Sequence, residues 1–143
     1  MFLWRISNYA TLDGAGGMLQ SARWHTLGKL IVYAADHPAS ALLEILVNFD
    51  VSLLPDTFQL LKIEVPASVM QLAAKAQDDW LTDISISRAV GDQWLANRNS
   101  LLLQVPSAIL PNVFNTLINP QHPDAAQLKI IAIQSVPLDT RLR

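Results

Sequence analysis

The chain has 143 residues, 51% of them apolar and only 15% charged, a balance that excludes disorder and fits one domain over residues 1–143. A formal net charge of −2 with no basic run argues against direct nucleic-acid binding, which needs clustered positive charge. The absence of cysteine excludes disulfides, thiolate chemistry and a cysteine-based zinc site, and suits a reducing cytoplasm. No apolar run approaches the roughly 18 residues of a membrane span, because Glu44 interrupts the densest one, and no basic leader suggests a signal peptide. The high apolar fraction suggests surface covered by a partner chain.

Phe2 to Ser7 reads as a first strand. From Asn8 to Gly28 the pattern dissolves into a loop holding four of the five glycines, Gly14, Gly16, Gly17 and Gly28. A loop of that length is uncommon in a compact domain unless it is functional. Leu30 to Ala35 is a second strand, apolar enough to be central. Asp36-His37-Pro38 marks a helix start, and the helix runs over Ala39 to Asn48 with Glu44 as its only charged interior residue. Phe58 to Val65 is a strand stopped by Pro66. Met70 to Asp83 reads as a helical turn and a loop, and Ser87 to Asn97 as a helix carrying Val90, Trp94 and Leu95. Leu101 to Val105 is a short strand, Leu110 to His122 a Pro/Asn-rich connection, Lys129 to Val136 a last strand and Leu138 to Arg143 a tail. Strands and helices do not alternate regularly, so the expected class is α+β, a mixed central sheet with flanking helices.

No phosphate-cradling motif is present: Gly14-Ala15-Gly16-Gly17 lacks the G-x-G-x-x-G spacing and precedes no helix signal. It reads as a flexible loop or as one that closes over a ligand. His25, His37 and His122 have no ligand spacing, so no metal is expected. What stands out is charge set among apolar residues: Arg5 inside the first strand, Arg23 in Arg23-Trp24-His25, and Glu44 on its apolar helix, with Tyr33 mid-strand. A buried carboxylate is expensive unless paired, so Glu44 reads either as one half of an ion pair with Arg5 or Arg23, or as an active-site group.

Six segments in order carry a family resemblance: Leu3-Trp4-Arg5, Arg23-Trp24-His25, Val32-Tyr33-Ala34-Ala35, Ala41-Leu42-Leu43-Glu44, Val105-Pro106-Ser107-Ala108 and Asn119-Pro120-Gln121-His122-Pro123. Together they resemble the RES-domain toxins of bacterial Xre–RES type II toxin–antitoxin systems, over Leu3 to about Ile131. The family is named for an Arg, a Glu and a Ser. Arg23 or Arg5 answers to the first, Glu44 to the second, and Ser107 or the nearby Ser100 to the third. His25 stands where many relatives carry Asn.

The resemblance implies a fold similar to the ADP-ribosyltransferases and a toxin that arrests growth by cleaving the nicotinamide–ribose bond of NAD+, which is substrate and not a prosthetic group. It assigns catalysis to Glu44, Arg23 and Tyr33, and NAD+ binding to Arg5, Arg23, Tyr33, Ser107 and Asn119. C–N cleavage at ribose passes through an oxocarbenium-like state that a carboxylate stabilises, an Arg clasps a pyrophosphate bidentately, and Tyr33 stacks on or hydrogen-bonds to the cofactor. The implied partner is an Xre-type helix-turn-helix antitoxin that supplies the DNA binding, with the toxin a homodimer inside the complex. ADP-ribosyl transfer to a host protein and a catalytically inactive interaction module are the alternatives.

Overall fold

A computed structural model describes residues 1–142. Strands β1 (Phe2–Ile6), β2 (Val32–Ala35), β3 (Thr57–Glu64), β4 (Gln71–Ala73), β5 (Leu102–Pro106), β6 (Phe114–Ile118) and β7 (Lys129–Pro137) form one seven-stranded sheet in the order β4-β5-β6-β2-β1-β3-β7. All neighbours are antiparallel except the β4–β5 pair, so the sheet is mixed and the α+β class holds. As its apolar composition requires, β2 lies at the centre.

Alternation along the strands divides the core in two. Leu3, Val32, Ala34, Ile63, Leu102 and Ile118 cluster on one face, with Leu12, Val69 and Ala125 packed over them. Leu103, Val105 and Leu117 lie on the opposite face beneath Trp24, Trp94 and Leu95, and Tyr33 packs against that cluster. The helices are α1 (Gly16–Leu19), α2 (Pro38–Asn48) and α3 (Ile84–Asn97). His37 caps α2 by accepting the Ala39 N–H at Nδ1, 3.0 Å away, and Pro38 occupies the first turn, where its missing N–H costs nothing. Asp83 caps α3 by accepting from the Ser85 N–H and hydroxyl, which starts that helix three residues before the expected Ser87.

Two expected connections contain strands. Within 110–122, β6 pairs with both β5 and β2 and is an interior strand. Its polar Asn115 and Thr116 interrupt the apolar pattern, and Pro111 and Pro120 bracket the strand from outside without breaking its ladder. Within 70–83, β4 is an exposed three-residue edge strand followed by a 3-10 turn over Asp78–Leu81.

The glycine loop is neither limp nor a free flap. The Gly14 carbonyl accepts from the Gly17 and Ile31 N–H groups, and the Gly17 carbonyl from those of Gly28 and Lys29, so the loop is stitched to the segment entering β2. Gly14 has φ +75°, and a side chain there would press into the Ile31 backbone and Pro120. Beyond the loop, the turn Ala22–Thr26 is clamped to one face of α3. Ser87 Oγ donates to the Arg23 carbonyl, Arg88 Nε to the Ala22 carbonyl, and Asp92 accepts from both the N–H and the hydroxyl of Thr26.

Gly91 lies inside this clamp, and a Cβ there would collide with the Trp24 carbonyl. Gly91→Ala gains about 1 kcal/mol of helix propensity, but forcing α3 off a backbone that cannot yield costs about 1–3 kcal/mol or more. The contact wins, so the thermal midpoint of Gly91→Ala is expected to fall by several degrees in calorimetry. An unchanged or raised midpoint would show that α3 does not seat on Trp24.

Candidate active site

Glu44 projects from α2 beside the buried Ala41, one helical turn earlier. Its Oε1 accepts two hydrogen bonds, from Asn115 Nδ2 at 2.7 Å and from Ser107 Oγ at 3.1 Å. Among the described residues no donor is bonded to Oε2, and neither Arg5 nor Arg23 forms an ion pair with Glu44. The Arg–Glu pair that the sequence left open is therefore replaced by two neutral donors. Ser107 also accepts the Ile109 N–H at 3.1 Å, so its hydroxyl serves the fold and Glu44 together. Ser100 is fully buried between Trp94 Nε1 and the Leu102 carbonyl, which leaves Ser107 as the serine beside the carboxylate.

Tyr33 lies on the same face. Ala35 registers with Asn115 across β2 and β6, and Tyr33 is two residues before Ala35, so its row lies about 7 Å along the strand. Its hydroxyl is committed. His25 Nε2 faces the carbonyls of Gln20 (2.9 Å) and Gly17 (3.3 Å) and must carry the proton; Nδ1 then accepts from Tyr33 at 2.7 Å, and Tyr33 accepts the Trp24 N–H at 3.1 Å. Desolvation raises the Tyr33 phenol well above its ordinary value, so it stays neutral. Tyr33 thus supports the turn that carries Arg23, while its hydroxyl is not free to bond a ligand.

Arg23 leaves that turn half-buried, its guanidinium 6.0 Å from the centre of the Trp80 ring and its Nη1 3.4 Å from the Leu81 carbonyl. Arg5 lies on the Leu3 side of β1, the opposite face by strand alternation. Its Nη1 donates to the Tyr33 carbonyl at 2.8 Å, its Nε is buried without an acceptor, and burial lowers its guanidinium below the ordinary value against the pull of Asp13. Of the two arginines expected at the site, Arg23 shares a face with Glu44 and Arg5 does not. Asn119 is a correction of another kind. It is fully buried, its amide donates to the Leu95 carbonyl and its oxygen accepts the Gln121 N–H, so it braces α3 against the end of β6 and offers nothing to a ligand.

Sequence reasoning missed Asn115, hidden in what read as a connection, and the structural role of His25. An open cleft with about 880 Å³ of empty volume is ringed by Met18, Gly28, Lys29, Asp92 and Gln121 and does not include Glu44. Volume and chemistry do not coincide, and we place the site at Glu44 because the oriented carboxylate is there; Asp92 is already committed to Thr26. Among the described residues no group of three or more His, Asp or Glu side chains is placed to hold a metal ion. No helix is long and apolar enough to cross a membrane.

The RES domain pattern matches residues 2–140. The chain is 44% identical over 145 residues to "Toxin Res" of Pseudomonas putida, covering 99% of each chain. It is 36% identical over 152 residues to "Prs ADP-ribosylating toxin" of a Sphingobium species, covering 97% of this chain and 94% of that one. A chain of the crystal structure of the M. tuberculosis MbcT–MbcA toxin–antitoxin complex superposes with a TM-score of 0.73 at 19% identity, over 99% of this chain and 85% of that one, and so shares the fold.

The raised Tyr33 phenol makes a prediction about pH. A phenol that ionises near pH 10 when unfolded but later when folded contributes stability that is intact below about pH 10 and lost as pH rises toward the folded value. Tyr33→Phe is expected to lower stability at neutral pH by about 1–3 kcal/mol, since buried partners at Trp24 and His25 are left unpaired. It should also flatten the alkaline decline. Urea unfolding at pH 8 and pH 11 checks both, and an unchanged alkaline slope in the variant would contradict the assignment.

Proposed function

The chain belongs to the RES domain family, and from that premise we propose that it is the toxin of a toxin–antitoxin system, acting by cleavage of the nicotinamide–ribose bond of NAD+. The observation that carries this reading is the Glu44 carboxylate, anchored through one oxygen and open at the other, on the same sheet face as Tyr33 and the Arg23 turn.

In NAD+ the bond between ribose C1′ and the pyridinium nitrogen breaks with its electron pair passing to nicotinamide, which leaves neutral and needs no general acid. Positive charge develops at C1′ and the ring oxygen, and a fixed carboxylate beside them stabilises that state. Oxygen of water or phosphate then bonds to C1′ and gives up its proton to Glu44 or solvent, yielding ADP-ribose or its phosphate ester. Arg23 suits the pyrophosphate: its charge is permanent, its fork matches two oxygens, and the turn beneath it is fixed by Ser87, Arg88 and Tyr33.

A second reading has one specific support, the relative named as an ADP-ribosylating toxin. The same bond breaks there, but a side chain of a protein is the acceptor. Intact-protein mass spectrometry after brief expression separates the two by the presence of an ADP-ribose adduct.

The reading makes two predictions. Glu44→Ala is expected to cut NAD+ consumption by about two to three orders of magnitude while leaving the fold intact, since the carboxylate acts on the transition state and sits outside both core clusters. A folded variant with near-normal turnover would refute the mechanism, and one that unfolds would make Glu44 structural. The partner is expected to be a helix-turn-helix antitoxin that covers the mouth between the glycine loop and Arg23. Co-purified with it, the toxin should lose NAD+ turnover and acquire operator binding. Tight operator binding by the toxin alone would contradict this.

A further inference from the structure

Asn115 occupies a position in β6 opposite Val105 of β5 and Ala35 of β2, both buried and apolar. An ionised carboxylate only accepts, so the Asn115 amide nitrogen must be the end that faces Glu44. The amide oxygen then points away, buried and with no donor among the described residues. A buried carbonyl without a partner is unfavourable and calls for an explanation. Among the described residues, the short bond to a residue 71 positions earlier in the chain is the one favourable polar contact the side chain makes.

Resting on the reading of Glu44 as the catalytic carboxylate, we infer that Asn115 is its positioning residue. With Ser107 it fixes Oε1 and leaves Oε2 aimed at the reacting ribose. The two donors come from a strand end and a strand interior, 107 and 115, and converge on one oxygen of a half-buried helical side chain. Without the nearer donor the Glu44 side chain regains alternative rotamers, and the reactive geometry is populated for a smaller fraction of time.

The test uses Asn115→Leu and Asn115→Asp in the full chain. Leucine removes the donor together with the unpaired carbonyl, so its thermal midpoint is expected to match or exceed that of the wild type. Its kcat for NAD+ should fall about 10–100-fold with KM within about threefold. Aspartate keeps the shape but sets a second carboxylate against Glu44, and its kcat should fall at least as far. Two outcomes overturn the inference: kcat within about threefold of wild type in both variants, or a loss of kcat that follows a matching loss of thermal midpoint. If the wild type itself does not consume NAD+, the functional reading fails and the positioning role is judged by structure. A crystal structure of Asn115→Leu with the Glu44 carboxylate unmoved overturns it, and one with the carboxylate displaced sustains it.

Discussion

The docking of the Ala22–Thr26 turn between α3 and the central strand is the constraint on which the rest of the molecule depends. Ser87, Arg88, Gly91 and Asp92 lie on one face of α3 and meet the turn with three polar side chains around a glycine gap. Into that gap comes the Trp24 backbone, while the Trp24 ring goes into the second core cluster and against Trp80. From beneath, Tyr33 accepts the Trp24 N–H and meets His25 of the turn, whose ring also reaches the Gln20 carbonyl of the glycine loop. One turn therefore closes a hydrophobic core and orients the arginine beside it. Truncating a tryptophan so buried costs about 3–5 kcal/mol, far more than any single hydrogen bond around it, so the clamp gives direction where the ring gives stability.

The same division of labour governs Glu44. An arginine at bonding distance would pair the carboxylate strongly and neutralise the charge a developing cation needs. Two neutral donors on one oxygen hold the group in place while leaving its charge available. A half-buried setting strengthens the field without the full desolvation penalty of a deep interior. The charged arginine is set apart from the carboxylate, on the turn held by α3 and Tyr33.

Much of this was legible in the residues. The strands over Phe2–Ile6, Leu102–Pro106 and Lys129–Pro137 follow from apolar β-prone runs, and α2 from the His37-Pro38 cap and an apolar stripe. Glu44 was visible because an acid on an apolar helix is anomalous. Illegible residues are those whose meaning lies in their partners. Asn115 and Thr116 make β6 read as loop, since a polar side chain in an interior strand is explained only by the helix above it or the strands beside it. Asn119 looks like a ligand contact in a motif, yet its amide is used up by Leu95 and Gln121. Arg5 and Arg23 are equal candidates until β1 is placed and alternation puts Arg5 on the Leu3 face, away from the cluster that holds the Trp24 turn.

His25 shows how a departure from a familiar motif is absorbed. Its ring donates from Nε2 to the carbonyls of Gln20 and Gly17 and accepts at Nδ1 from Tyr33, so it joins the glycine loop to the central strand. An asparagine in its place also carries a donor and an acceptor. Its amide, however, ends about where the Nδ1 edge of the ring lies, so it can meet Tyr33 while falling short of the Gln20 and Gly17 carbonyls that Nε2 reaches. What the position demands is that bipolar pattern, because the Tyr33 hydroxyl donates into it while receiving from the Trp24 backbone. A leucine of similar size would leave a phenol proton and two loop carbonyls unanswered inside the protein, at about 1–3 kcal/mol each. The turn that orients Arg23 thus depends on a side chain at position 25 that donates to the loop and accepts from Tyr33.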